Sequence, residues 1–285
     1  MIGIGPFSIR VVLAFGAIVL AWVTARMLAR RLPDDPRKAA GTILFDAVLA
    51  ALVAARAGYV LRWWDDYASA PMSMLAIGDL GFSWQFGLPA ALAVTWWRTR
   101  SARMLRRPVL LGIAVGIAAW LAAGGVLGLL QRAAPPLPDL QLSTLDARPV
   151  NLGSYGGQPV VLNLWATWCA PCRREMPVFE KAQAQYPDVA FVMINQGESA
   201  QQARAFLQRE GLALDDVLLD PHSAALRVSG SRGLPTTLFF DAKGRLVDSH
   251  LGELTMASLR GKLSRRFGQS PTRDAGQAAG GAGGE

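Results

Sequence analysis

The two cysteines of this 285-residue chain, Cys169 and Cys172, directly follow an apolar run, residues 160–165, that is predicted to be a buried strand. The next segment, residues 173–181, has the composition of a helix. Two thiols separated by two residues at a helix start can cycle between dithiol and disulfide. The sequence therefore offers electron transfer through sulfur.

The place of the pair at the predicted helix start gives the two sulfurs different roles. Cys169 lies at the first turn, where unpaired backbone N–H groups favour a thiolate, and it is predicted to attack. Cys172, one turn deeper and less exposed, is predicted to resolve the mixed disulfide that Cys169 forms. Pro171 fits near a helix start because its missing N–H costs little there.

Two other uses of such a pair are weighed against redox cycling. A zinc site needs four ligands, and the chain adds only His222 and His250, which are not in a paired spacing. A structural bridge across so short a loop gains little chain entropy. Redox cycling is the preferred interpretation, no metal or other cofactor is predicted, and both histidines are interpreted as surface or packing residues.

A second signal lies downstream, where Pro235 opens a β-branched and aromatic strand, residues 236–240. A cis peptide bond is predicted before this proline, since only X-Pro bonds adopt cis at low cost. Such a bond turns the preceding carbonyl and N–H outward, and these groups could pair with a substrate backbone.

Four ordered segments carry a resemblance, residues 162–172, 175–177, 195–199 and 233–237. Over residues 138–267 the chain resembles the TlpA-like and ResA-like branch of the thioredoxin superfamily, which are membrane-tethered, extracytoplasmic thiol-disulfide oxidoreductases. The resemblance implies an α/β thioredoxin-like domain, a central mixed β-sheet flanked by helices. It also implies a reducing role toward exported proteins with oxidised cysteine pairs, in cytochrome c maturation or metal-site assembly.

The resemblance further implies which residues surround the sulfurs. Pro235 is expected beside them in the cis form. Substrate contacts are expected from four residues: Trp168, Pro171, Leu234 and Thr236.

One departure from thioredoxin concerns the proton of the resolving thiol. Thioredoxins carry an acidic residue where Asn163 stands here. Glu175, one helical turn beyond Cys172, matches the acidic residue of the TlpA-like and ResA-like branch and could relay a proton to or from Cys172. The alternative is a solvated glutamate in the first turn of the helix.

The first half of the chain has the apolar stretches of a membrane protein. Four apolar stretches, each near the roughly 20 residues that cross a bilayer, predict an all-α four-helix transmembrane domain over residues 1–132. They cover residues 7–28, 42–61, 80–97 and 109–130. A Pro-rich spacer at 133–139, the thioredoxin-like domain at 140–268 and a disordered tail at 269–285 complete the predicted organisation.

The distribution of charged residues predicts how the first half of the chain is oriented in the membrane. Residues 1–133 hold 14 basic and 6 acidic residues and the remainder holds 15 of each, so the whole net charge of +8 belongs to the membrane half. This distribution argues against a nucleic-acid partner. Basic residues cluster after the first and third stretches, which the positive-inside rule places in the cytoplasm. A bacterial inner-membrane protein with its N-terminus and thioredoxin-like domain in the periplasm is predicted.

The electron source is predicted to be a separate protein. Residues 1–168 contain no cysteine, so the membrane half cannot pass reducing equivalents across the bilayer by thiol exchange. A membrane electron donor of the DsbD-like or CcdA-like kind is therefore implied as a partner, beside the exported clients and the phospholipid membrane.

The membrane half also resembles the first part of prolipoprotein diacylglyceryl transferase, in residues 5–10, 55–60 and 83–88. That family has a histidine followed by two glycines where residues 85–87 stand here. The expectation is a domain that binds phospholipid or serves only as an anchor. Arg56 and Asp46 within apolar stretches are either functional residues or members of ion pairs.

Three classes of function remain open. The first is a membrane-anchored disulfide reductase. The second is a disulfide oxidase or isomerase on the same scaffold, and the third is lipid transfer by the membrane half. Residues 170 and 171 lack the histidine associated with strongly oxidising relatives, which favours reduction.

Overall fold

The computed structural model describes residues 3–4, 7–33, 36–68, 71–75, 79, 81–131, 136–269 and 271. The chain divides into two compact units, Ile2–Ala133 and Ala134–Glu285. The first half of the predicted spacer and almost all of the predicted disordered tail lie outside the described residues. The two units are a helical unit and a sheet-containing unit, as the predicted fold class requires.

The helical unit opens with a pair of two-residue strands, β1 (Gly3–Ile4) and β2 (Phe7–Ser8). Its helices are α1 (Ile9–Ala29), α2 (Arg37–Arg62), the short α3 (Trp64–Ala68), α4 (Trp84–Arg98) and α5 (Arg106–Gln131). Short 3-10 turns precede α4 (Pro71–Leu75) and α5 (Arg103–Leu105).

Three of these helices, α1, α2 and α5, are long and apolar enough to cross a membrane. At the fourth predicted stretch, 80–97, α4 has 15 residues, and the prediction that it also spans the membrane stays a prediction. At 1.5 Å per residue α4 reaches about 22 Å, less than the roughly 30 Å of a hydrocarbon core. The helix starts late because the segment before it is held by other bonds: Gly81 N–H donates to Asp79 and Ser83 N–H donates to Ala55 O.

Helix α5 runs antiparallel to α1 at backbone contact distance. A Cβ added at Gly112 would lie 2.7 Å from Ala21 O, and one added at Gly116 would lie 2.8 Å from Ala21 Cβ and 3.0 Å from Ala17 O. Small residues spaced four apart let helix backbones approach in this way. Glycine at both positions is therefore a packing requirement, although it lowers helix propensity.

We expect Gly116→Leu to destabilise the helical unit by about 1–3 kcal/mol, the usual cost of forcing extra atoms into a packed site. Gly124 provides the control, since a Cβ there meets nothing within 4 Å. Gly124→Leu should be neutral or slightly stabilising, because glycine disfavours helix. Thermal unfolding of the purified full chain in detergent measures both variants. Equal melting temperatures would contradict the close packing of α1 and α5.

The sheet-containing unit is built on a seven-stranded mixed sheet in the order β4-β3-β7-β6-β5-β8-β9. The strands are β3 (Gln141–Thr144), β4 (Pro149–Asn151), β5 (Val160–Trp165), β6 (Ala190–Gln196), β7 (Asp216–Asp220), β8 (Thr236–Phe240) and β9 (Leu246–Leu251). Strands β5, β6 and β7 are mutually parallel, whereas β3, β4, β8 and β9 join by antiparallel pairing.

The helices of this unit are α6 (Ala170–Gln185), α7 (Ala200–Glu210), the short α8 (Ala224–Val228) and α9 (Met256–Phe267). Helices α6, α7 and α9 contribute to a core on one sheet face that contains both cysteines and Trp165. The opposite face packs a second core around Leu162, Leu164 and Ile194. The sequence explains this split because alternate residues of a strand point to opposite faces.

Local signals set the helix ends. Ser199 and Gln202 form a capping box at the start of α7, and Gly211 ends it at a φ of +65°. Thr255 caps α9. Residues 136–139 of the predicted spacer are described, and the N–H of Leu137 donates to Gly244 O within the sheet-containing unit.

Candidate active site

The two cysteines form a disulfide at the start of α6, with a Cα–Cα distance of 5.3 Å. Cys169 is the N-cap residue, and its Sγ accepts the backbone N–H of Cys172 at 3.4 Å. Strand β5 ends four residues earlier, at Trp165, so the strand delivers the pair to the carboxyl edge of the sheet. In the reduced state this position favours a thiolate at Cys169, because a helix start presents N–H groups with no helical partner.

Exposure distinguishes the sulfurs in the order that the sequence predicts. Cys169 is 6% exposed and Cys172 is fully buried. In the disulfide form most of Cys169 is also covered, within the core that holds Trp165. The neighbouring Trp168 is 71% exposed, and it is the large apolar side chain that a protein arriving at the sulfurs can contact.

Glu175 lies inside the protein rather than on its surface. It is fully buried, Oε1 accepts from Asn163 Nδ2 at 2.8 Å and Oε2 accepts from Leu254 N–H at 3.0 Å. Burial raises the pKa of Glu175 from 4.5 to about 8, and the two hydrogen bonds lower it only in part. The solvated-glutamate alternative is therefore wrong, and a carboxyl that can be protonated near neutral pH stands one turn after Cys172.

Asn163 occupies the strand position where thioredoxins carry an acid, and it connects two elements. Its Nδ2 donates to Glu175 on α6 and also to Thr237 Oγ1 on β8, at 3.1 Å. Its Oδ1 is buried without a hydrogen-bond partner. In this chain the buried acidic group therefore lies on helix α6 instead of on strand β5, and the hydrogen bond from Asn163 orients it.

The loop before β8 contains the predicted cis peptide bond, between Leu234 and Pro235. The Pro235 carbonyl accepts from Gly252 N–H at 2.9 Å, and proline has no N–H of its own. The backbone groups through which a client could pair are therefore those of Leu234. The Leu234 side chain packs against the core that includes both cysteines.

Thr236 is fully buried, which differs from the expected substrate contact. Its Oγ1 donates to Gly233 O at 2.8 Å and lies 2.6 Å from Ser231 Oγ. The hydroxyl closes the loop that carries Pro235. Thr236 therefore helps to set the shape of this loop.

Comparison with known proteins shows to which family the chain belongs. Residues 134–249 match the AhpC/TSA family. The chain is 38% identical over 130 residues to thioredoxin-like protein YneN of Bacillus subtilis, covering 44% of this chain and 75% of YneN. It is 34% identical over 128 residues to the thiol-disulfide oxidoreductase ResA of Geobacillus thermodenitrificans, covering 44% and 73%. The chain belongs to the ResA-like thioredoxin family.

The chain is also similar to a solved structure, that of MTB DsbF in its mixed oxidized and reduced forms. The two sequences are 25% identical, and the match covers 46% of this chain and 97% of DsbF with a TM-score of 0.43. The recognised resemblance to the ResA-like family is confirmed, and this ResA-like chain is a thiol-disulfide oxidoreductase.

The helical unit matches a second family. Residues 1–128 match prolipoprotein diacylglyceryl transferase, as the three N-terminal segments predicted. Together with the three helices long enough to span, this match makes the ResA-like chain a membrane-associated protein.

The two charges singled out in the apolar stretches both form ion pairs. Arg56 of α2 binds Asp79 at 2.8 Å and donates to the carbonyls of residues 73, 74 and 81. Tyr67 OH also donates to Asp79, at 2.7 Å. Asp46 of α2 pairs with Arg98 at the end of α4. Arg56 thus holds the segment between α2 and α4 in place.

Some residues around the site had no predicted role. Glu198 and Asn195 belong to the segment 195–199, which entered only through the family resemblance. Glu198 accepts the N–H of Thr167, two residues before Cys169, and Asn195 donates to the same carboxylate. His250 is 3% exposed, with Nε2 3.3 Å from Glu253 O, and is a packing residue, whereas His222 is exposed. Within the described ranges, no three His, Cys, Asp or Glu side chains are grouped to hold a metal.

Proposed function

We propose that this protein is a membrane-anchored disulfide reductase for exported proteins. The Cys169 thiolate attacks a client disulfide, forms a mixed disulfide and releases one client thiolate. The Cys172 thiolate then attacks Cys169 Sγ, which releases the second client thiolate and closes the Cys169–Cys172 disulfide. Two electrons pass from the protein to the client.

The observation that carries this proposal is the unequal placement of the two sulfurs at one helix start. Cys169 Sγ accepts an N–H at the N-cap of α6, whereas Cys172 is fully buried one turn further along. The outer sulfur is stabilised as an anion and can be reached. The inner sulfur can be reached only by its neighbour, which is what a resolving thiol requires.

Glu175 supplies the proton step. In its ionised form, a buried carboxyl with a pKa raised to about 8 can accept the proton of the Cys172 thiol as that thiol becomes the attacking group. It can return the proton when the pair is reduced again. Because Glu175 is held by Asn163 and Leu254, it stays in one orientation through the cycle.

Clients dock on the surface around the pair. Trp168 offers exposed aromatic area, Pro171 at the start of α6 is partly exposed, and Leu234 offers backbone groups beside Pro235. A client peptide that lies extended across this surface would bring its disulfide to Cys169. Such main-chain pairing tolerates many client sequences.

The direction of electron flow is tested by the reduction potential of the full chain. The reductase assignment predicts a value near that of thioredoxin, about −270 mV, rather than the value of about −120 mV of the strong oxidant DsbA. Equilibration with glutathione or dithiothreitol buffers, followed by thiol alkylation, measures the potential. A value close to that of DsbA would favour the alternative, a disulfide oxidase or isomerase.

The proposed location is the bacterial inner membrane, with the thioredoxin-like unit in the periplasm. Both Arg-rich connections lie at one end of the helical unit, because Ala29, Ala40 and Leu105 share one buried cluster there. The Asp46–Arg98 pair ties the end of α4 to the same part of α2. A single basic end favours a cytoplasmic position for both connections.

The remaining partners follow from this location. Residues 1–168 contain no cysteine, so a separate membrane carrier of the DsbD-like or CcdA-like kind would reduce the Cys169–Cys172 pair. Clients are exported proteins with oxidised cysteine pairs, such as those of cytochrome c maturation or metal-site assembly. The helical unit acts as an anchor in phospholipid, since Arg56 is engaged by Asp79 and by backbone carbonyls. Lipid transfer is the alternative role for this unit.

A further inference from the structure

The loop between β5 and Cys169 is held in place by a carboxylate outside the Cys169–Cys172 segment. Strands β5 and β6 are parallel neighbours, and the last residue of β5, Trp165, pairs with Asn195, the residue before the last in β6. The two loops that leave these strands therefore start side by side. The first loop leads through Thr167 and Trp168 to Cys169, and the second contains Glu198.

Glu198 joins these loops through both carboxylate oxygens. Oε2 accepts the backbone N–H of Thr167 at 2.7 Å and Nδ2 of Asn195, also at 2.7 Å. Oε1 accepts the hydroxyl of Thr167 at 2.5 Å. Glu198 is buried, so these bonds are little weakened by water.

Thr167, the residue that Glu198 holds, lies inside the turn that ends at Cys169. Cys169 N–H donates to Ala166 O at 3.2 Å, which closes a turn with Thr167 inside it. Fixing Thr167 therefore fixes this turn, and the turn sets where Cys169 Sγ lies relative to the first N–H groups of α6. A loop free to move would lose the N–H that Cys172 donates to Cys169 Sγ.

We propose that Glu198 is a positioning residue for Cys169, and that its carboxylate holds the Thr167 turn so that the sulfur stays at the N-cap of α6. The inference rests on the proposed attack by Cys169. It concerns position rather than charge, since a carboxylate close to a thiolate would by itself disfavour that thiolate.

The test compares two substitutions in full-length Cys172→Ser protein, in which Cys169 is the single thiol. The rate of Cys169 alkylation by iodoacetamide is followed from pH 5 to 10. Glu198→Ala removes all three bonds, and we expect alkylation at pH 7 to slow about tenfold, with the midpoint of the profile moved to higher pH, because the thiolate loses its helix-start position. Glu198→Gln keeps an acceptor for Thr167 N–H, and we expect its midpoint to stay at the wild-type value or below it.

The control is Glu180→Ala. Glu180, on the same helix as Cys172, also ties down a loop N–H, that of Ala213, at 2.6 Å. Its removal should leave the alkylation profile unchanged. Should Glu198→Ala fail to fold, Thr167→Val removes only the hydroxyl contact and should slow alkylation in the same direction by a smaller factor.

Two results would overturn the inference. Parallel downward shifts of the midpoint in Glu198→Ala and Glu198→Gln would mean that Glu198 acts through its charge. Unchanged alkylation profiles in both variants would mean that the Thr167 turn keeps its geometry without the Glu198 carboxylate. Because alkylation reports on Cys169 without any client, this failure is distinguishable from failure of the reductase assignment, which the reduction potential decides.

Discussion

In Cys172→Ser protein, mixed disulfides with client proteins should accumulate, and in Cys169→Ser protein they should not. The physical reason is the difference in burial: Cys169 is the sulfur at the N-cap of α6, and Cys172 is fully buried beneath it. Without Cys172 the adduct on Cys169 has no resolving thiol. Client reduction should fall by at least about a hundredfold in both variants, since the covalent cycle needs both sulfurs.

The adducts are measured by acid quenching of cells, thiol alkylation and non-reducing electrophoresis, followed by mass spectrometry of the trapped proteins. A membrane-impermeant reductant added to intact spheroplasts should release them if the thioredoxin-like unit is periplasmic. The double variant Cys169→Ser, Cys172→Ser is the control for non-specific capture. Adducts formed only by Cys169→Ser would reverse the roles of the two sulfurs, and adducts resistant to the impermeant reductant would contradict the orientation.

Glu175→Gln should change both the stability and the pH profile of the thioredoxin-like unit. Burial raises the pKa of Glu175 in the folded protein from 4.5 to about 8, so the folded state favours the protonated form. The resulting stabilisation is complete below pH 4.5 and is lost progressively as the pH rises toward 8. One pKa unit corresponds to about 1.4 kcal/mol, so the wild-type protein should lose a few kcal/mol between pH 5 and 9.

The glutamine variant should lack this loss because it does not titrate. Its Oε1 can still accept from Leu254 N–H, and Asn163 Oδ1, which has no partner, can accept the new amide after a side-chain flip. Denaturant unfolding of the full chain at several pH values measures the difference. Glu210→Gln, an exposed position on α7, is the control. A wild-type stability that is flat from pH 5 to 9 would contradict the raised pKa.

The same variant should slow the resolving step. Removing a positioned proton acceptor costs about 10²–10⁴-fold in comparable reactions, and we expect the lower end because solvent can partly replace it. Single-turnover reduction of a disulfide-containing peptide should show mixed disulfide accumulating in Glu175→Gln. The inflection near pH 8 should disappear from its rate profile. If the rates were equal, Glu175 would have only a packing role.

Much of the thioredoxin-like unit could be predicted because its signals are local. Strands β5 and β8 match their predicted limits, and the helix predicted at 173–181 lies within α6. Strands β3 and β4 and helix α8 were not predicted. They are three to five residues long, and β3 carries polar residues that give little alternation.

The membrane half illustrates the limit of hydropathy. Apolar length located α1, α2 and α5, but it did not locate the start of α4, which begins at Trp84 rather than at residue 80 and follows the residue that pairs with Arg56, Asp79. That pair joins residues 23 positions apart and has no local signature. Hydropathy counts residues along the chain and does not register a bond that stops a helix from starting earlier.

The sequence by itself determined the chemistry, because a CxxC pair between a buried strand and a helix start brings two sulfurs together through short-range geometry alone. It also predicts which sulfur attacks, since the first turn of a helix differs from the second. Only the tertiary structure decided the surroundings. Glu175 meets the N–H of Leu254 from 79 positions away, and Glu198 meets Thr167 from 31 positions away. Such contacts depend on strand order and helix placement, which residue spacing does not encode.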